Sequence, residues 1–177
     1  NMTPTSLFVM RSLHRLLRPL LVVLALCCAL PVAAIEVGQP LRLTALTTLD
    51  GRVLPEEDFA GQYVILQVWA SWCPYCRKQN VNLQSLYDST RDTALRIVTL
   101  AVDKDPENTR AYIDEHHVTF PVAMMTPEMA KRIGKRRGIP ELYVIDPAGI
   151  VVQKDFGQMV DADVADLARY SKPSRAP

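Results

Sequence analysis

Four cysteines and three histidines in 177 residues are too few for a disulfide framework spread over the chain. No internal repeat and no low-complexity tract is present, which excludes a solenoid or a compositionally biased linker. No acidic residue occurs before Glu36, although the chain holds 19. A strong charge of either sign is also missing. The formal net charge is +1, and without residues 1–34 the balance is 17 Lys and Arg against 19 Asp and Glu. Nucleic-acid binding therefore has no support. What is abundant is apolar character, 49% of residues, enough to bury one core and so to form one domain.

Part of that apolar content belongs to the N-terminus. Arg11, Arg15 and Arg18 precede the apolar stretch from Leu20 to Leu30, and Pro31-Val32-Ala33-Ala34 follows with small residues at cleavage positions. This is the pattern of a secretory signal over residues 1–34, cleaved after Ala34 or retained as an uncleaved anchor. From Leu20 to Ala34 it falls short of the roughly 20 apolar residues that span a bilayer. Neither Cys27 nor Cys28 follows a small residue, which argues against lipid attachment. Export predicts a periplasmic protein whose only remaining thiols are Cys73 and Cys76. In an oxidising compartment a lone C-x-x-C pair reads as a redox pair, with a metal clasp or an inert staple as the other options.

Turn residues cut residues 35–170 into short elements. Leu41 to Leu46 alternates apolar and polar, and Asp50-Gly51 turns the chain into Val53-Leu54, predicting an N-terminal hairpin. Tyr63 to Trp69 and Leu95 to Val102 are continuous apolar runs, predicted as strands buried on both faces. Pro74 starts a helix with Leu83, Leu86 and Tyr87 on its apolar stripe. A second helix runs from Pro106 to His116 with Tyr112 and Ile113 inward. A short strand over 120–125 and a short helix over 127–133 follow. Asp146-Pro147-Ala148-Gly149 predicts a turn between two strands, Val160 to Tyr170 a closing helix, and 171–177 a disordered tail. Strands alternating with helices predict an α/β domain with a central mixed sheet flanked by helices. A C-x-x-C between the first such strand and its helix is the thioredoxin-like signal.

On these residues the chain resembles the TlpA/ResA/CcmG group of exported thioredoxin-like thiol–disulfide oxidoreductases. The matching pieces are Val68-Trp69-Ala70-Ser71-Trp72-Cys73-Pro74-Tyr75-Cys76, Val102-Asp103, and Gly138-Ile139-Pro140 leading into Tyr143-Val144-Ile145-Asp146. The likeness spans about residues 35–170. It departs at two positions. Gln79 stands where many members carry a Glu, and Gln67 stands where thioredoxins bury an Asp. Glu141 resembles the CcmG-like branch.

The resemblance implies a reductase of specific protein disulfides, working as a monomer without a cofactor and recharged by a membrane electron donor. Cys73 would cap the helix, its sulfur facing the N–H groups of Tyr75 and Cys76, which lower its pKa and make it the attacking thiolate. Cys76 would resolve the mixed disulfide. Pro140 is expected to be cis, setting the Ile139 backbone opposite Cys73 to pair with substrate. Trp72, Pro74 and Tyr75 would shape that contact, and Glu141 would accept or relay the Cys76 proton. Lys131, Arg132, Lys135, Arg136 and Arg137 read as a solvated helix face, or else as a dock for an acidic partner. The rivals are a general oxidase or isomerase and a copper-handling protein using His116 and His117. No metal site is expected, and Ala70 replaces the Thr or Ser a peroxidase needs.

Overall fold

The computed structural model describes residues 34–172. The predicted signal and most of the predicted tail lie outside them. Two sheets form. A small antiparallel pair, β1 (Leu46–Thr47) and β2 (Val53–Leu54), is the N-terminal hairpin. Its turn is held by Thr48, Asp50 and Arg52. Burial alone would raise the Asp50 carboxyl, but hydrogen bonds from Thr48 and Arg52 and the Arg52 charge hold it below its ordinary value. Residues 41–44 keep the expected in–out alternation without a strand ladder, and it breaks at the exposed Ala45. Leu41 and Leu43 pack onto the main sheet, and Leu41 N–H bonds only to Gly149 O at 2.9 Å.

The main sheet has five strands in the order β5 (Val122–Met124), β4 (Arg96–Ala101), β3 (Val64–Trp69), β6 (Glu141–Ile145) and β7 (Val151–Phe156). β3 runs parallel to β4 and antiparallel to β6, so the sheet is mixed as expected. Every residue of β3 is buried, which explains its unbroken apolar sequence. Strand parity divides the core in two. Ile65, Trp69, Leu142 and Val144 face α1 (Pro74–Thr90), the helix α2 (Pro106–His116) and α4 (Asp161–Asp166). Val64, Leu66, Val68, Tyr143 and Ile145 face α3 (Pro127–Ile133) and the segment from Ile35 to Leu46. Full burial of each such side chain is worth about 1.5–3 kcal/mol.

The closing helix differs from expectation. α4 ends at Asp166, and a 3-10 turn over Leu167–Ser171 completes it. The helix α3 also ends at Ile133, so Lys135, Arg136 and Arg137 lie in irregular chain leading into β6 rather than on a helix face.

Candidate active site

The site forms where β3 ends and α1 begins. Val102 N–H bonds to Trp69 O at 2.9 Å, prolonging the parallel pairing and bringing Asp103 beside Ser71. The Asp103 carboxylate then accepts from Ser71 N–H at 3.0 Å and from the Ser71 hydroxyl. This clamp fixes the loop that enters the cysteine motif. Replacing Asp103 with Ala is expected to cost about 1–3 kcal/mol through the partly buried Ser71 donors left unpaired. Urea unfolding of D103A, S71A and the double variant should show coupling of at least about 0.5 kcal/mol.

Cys73 is the N-cap of α1, in extended backbone at φ −85° and ψ 113°. Its sulfur accepts from Cys76 N–H at 3.2 Å. The Tyr75 N–H, also expected to serve the sulfur, makes no such bond; of the two N–H groups a cap can use, the one three residues on is taken here. Pro74 occupies the first helical position, where no N–H is needed. Cys73 and Cys76 are joined as a disulfide with Cα atoms 5.2 Å apart. Cys76 is fully buried and Cys73 nearly so. Trp72 and Tyr75 project outward on either side, 68% and 62% exposed.

The Ile139–Pro140 peptide is cis. The Ile139 carbonyl oxygen lies 3.8 Å from the Cys73 sulfur, so the loop before β6 faces the first cysteine. Sequence and structure thus bring together Cys73, Cys76, Ile139 and Pro140, with Trp72, Pro74 and Tyr75 around them.

Glu141 goes elsewhere. It is 1% exposed, and its carboxylate lies 3.4 Å from Lys154 Nζ, which also bonds to Glu36 and to Ile35 O. Parity explains this: Leu142 and Val144 point to the cysteine side, so Glu141 and Tyr143 point to the other. Burial, and next the Glu141 charge, push the Tyr143 hydroxyl well above its ordinary value. Among the described residues, neither that hydroxyl nor Glu141 Oε2 has a hydrogen-bond partner.

Under the cysteines lie amides. Met159 N–H donates to Gln79 Oε1 at 2.8 Å, Gln79 Nε2 to Gln67 Oε1 at 2.8 Å, and Gln67 Nε2 to Asn80 Oδ1 at 2.7 Å. Asn80 Nδ2 ends the chain on Tyr112 OH at 3.4 Å. Burial is the main cause that raises the Tyr112 hydroxyl above its ordinary value. The two glutamines that depart from the family pattern are therefore partners of each other. Asn80 and Tyr112 were not singled out for this role, although Asn80 stands at i+4 from Cys76 on the inward face of α1, an unusual place for an amide.

His116 packs against Tyr112 at a tilt of 44°, ring centroids 4.4 Å apart, with Arg77 over the same ring. His117 caps α2 in the left-handed region at φ 51°. Among the described residues no three or more His, Cys, Asp or Glu side chains gather as a metal cluster. None of the described helices is long and apolar enough to cross a membrane.

Comparison with known proteins agrees with this geometry. Residues 37–154 match the model of the AhpC/TSA family. The chain is 24% identical over 173 residues to thiol-disulfide oxidoreductase ResA of Bacillus thuringiensis subsp. konkukian, covering 90% of this chain and 98% of the relative. It is 29% identical over 162 residues to the "Probable thiol:disulfide interchange protein DsbE-2" of Pasteurella multocida, covering 84% and 83%. A thiol:disulfide interchange protein of the thioredoxin family from Chlorobium tepidum superposes with a TM-score of 0.69 at 25% identity, over 78% of this chain and 99% of that one.

Proposed function

This chain belongs to the AhpC/TSA family, of thioredoxin-like fold, and from that premise we propose that it is an exported thiol–disulfide oxidoreductase that reduces specific protein disulfides. The observation that carries the reading is the Cys73–Cys76 disulfide at the start of α1, facing the Ile139–Pro140 loop. The structure holds the oxidised form. In the reduced form the Cys76 N–H and the helix N-terminus stabilise negative charge on the Cys73 sulfur, and that thiolate attacks a substrate disulfide. A Cys73–substrate disulfide forms and the first substrate thiolate leaves. Cys76 then loses its proton and attacks Cys73. The Cys73–Cys76 bond closes, the second substrate thiolate leaves, and two electrons have passed to the substrate.

The dithiol carries both electrons, so no further cofactor enters the cycle. The Ile139 backbone pairs with the substrate segment, and Trp72, Pro74 and Tyr75 border it. Glu141 acts as a positioning residue for the strand behind Pro140, since its carboxylate is engaged by Lys154. The basic n-region, apolar stretch and Ala34 site support export to the periplasm, where a membrane electron donor recharges the monomer.

Equilibration against dithiothreitol and glutathione buffers tests the direction. A reductant requires a potential more negative than about −200 mV, in the range of thioredoxins and glutaredoxins. A value near about −120 mV, that of a strong oxidant, would overturn the direction and favour the oxidase reading.

A further inference from the structure

One large apolar side chain beside the cis-proline loop has no part in the core. Phe156, the last residue of β7, is 52% exposed. Its register partner is Glu141, and the next residue, Gly157, donates its N–H to Pro140 O at 2.9 Å. The ring therefore stands beside the cis-proline loop. A Cβ added to Gly138 would lie 3.3 Å from the ring, so the absence of a side chain there lets the phenyl group rest on the loop. The Arg137 guanidinium covers the ring at 5.7 Å from its centroid. Cys73, Ile139, Gly138, Phe156 and Arg137 thus form one connected path.

The segment that leads into this path, residues 131–137, carries charge of one sign. Of the five cations over residues 131–137, Arg132 is tied to Glu128 at 2.9 Å. Among the described residues Lys131, Lys135, Arg136 and Arg137 make no ion pair with a carboxylate. An exposed aromatic with an arginine over it, preceded in the chain by further unpaired cations, suits an apolar side chain next to carboxylates. Two residues of extended chain reach about 7 Å. A substrate segment paired at Ile139 therefore brings its neighbours two to four residues away over Arg137 and Lys135.

We propose that Phe156 and the cations of residues 131–137 form a docking shelf that selects protein partners whose reactive cysteine is flanked by an apolar residue and acidic residues. The proposal rests on the thiol–disulfide exchange reading and names its substrate class.

Two disulfide-looped peptides of one sequence test it, each with a Phe near the cysteine and with either two Glu or two Lys beside that Phe. Each rate constant with the reduced protein is divided by that peptide's rate with dithiothreitol. At low salt the Glu peptide is expected to react about tenfold faster than the Lys peptide, and the ratio should fall toward one near 1 M salt. R137E and K135E should each lower the low-salt ratio severalfold, while R91E, at the far end of α1, leaves it in place. Because the ratio is taken on one variant, general damage to the site cancels. Equal rates for the two peptides, or a ratio unmoved by R137E and K135E, would overturn the shelf. Hydroxyethyl disulfide, which carries no flanking residues, separates the two failures. If it oxidises the reduced dithiol while the peptides react equally, only the shelf fails; if it does not, the exchange reading fails with it.

Discussion

Cys76→Ala protein, reduced and mixed with periplasmic extract, is expected to accumulate mixed disulfides joining Cys73 to its substrates. In the native protein Cys76 stands three residues from Cys73 on the same helical turn, already within bonding reach. Intramolecular attack at such range corresponds to effective concentrations far above any external thiol. Removing it should lengthen the life of the mixed disulfide by at least about 10³-fold against millimolar thiol. Cys73→Ala should form no adduct, because the remaining sulfur is fully buried beneath the first turn of α1. Non-reducing gels with mass spectrometry of the adducts give the measurement. No thiol-dependent adduct with C76A, or equal adducts with C73A, would defeat the assignment of attack to Cys73.

Lys154→Met is expected to be strongly destabilising although it lies away from the cysteines. Lys154 keeps 8% of its side-chain surface, and Glu141, its partner at 3.4 Å, keeps 1%. Methionine fills much of the same space but leaves a buried carboxylate without a counter-charge, at about 3–5 kcal/mol. It also releases Ile35 O and Glu36, which hold the start of the domain against β7. Glu141→Gln combined with Lys154→Met should recover a large part of the loss, because the charge that needed compensation is gone. Urea midpoints for the two single variants and the double variant decide this. A K154M midpoint equal to that of the native protein would show that the pair contributes nothing.

The parts legible in the sequence are those set by local chemistry. The apolar runs of β3 and β4 demanded burial on both faces, Pro74 marked the helix start, and Asp146-Pro147-Ala148-Gly149 marked the turn between β6 and β7. What was not legible depends on which element covers which face. Residues 41–44 alternate like a strand because one side lies on the sheet, yet no neighbour supplies a full ladder. Glu141 follows the Ile139–Pro140 loop that faces Cys73, which suggested the cysteine side; strand parity turns it away. Lys154 as its partner was harder still, since the register of β6 on β7 shifts between Val144 and Ile145 and defeats counting back from the turn. Gln67 and Gln79 were visible as amides in place of acids, but their pairing needs β3 and α1 in contact first.

The amide chain beneath the cysteines has a keyed end. A backbone N–H has no choice of role, so Met159 forces Gln79 to present its oxygen there, and each amide then dictates the next as far as Tyr112. Four hydrogen bonds are ordered like a row of dominoes by a single peptide group, and none of the links carries a formal charge. The Met159 peptide lies three residues beyond Phe156, the ring beside the substrate loop. A partner that shifts that short stretch would unkey the row and leave every amide in it free to face either way.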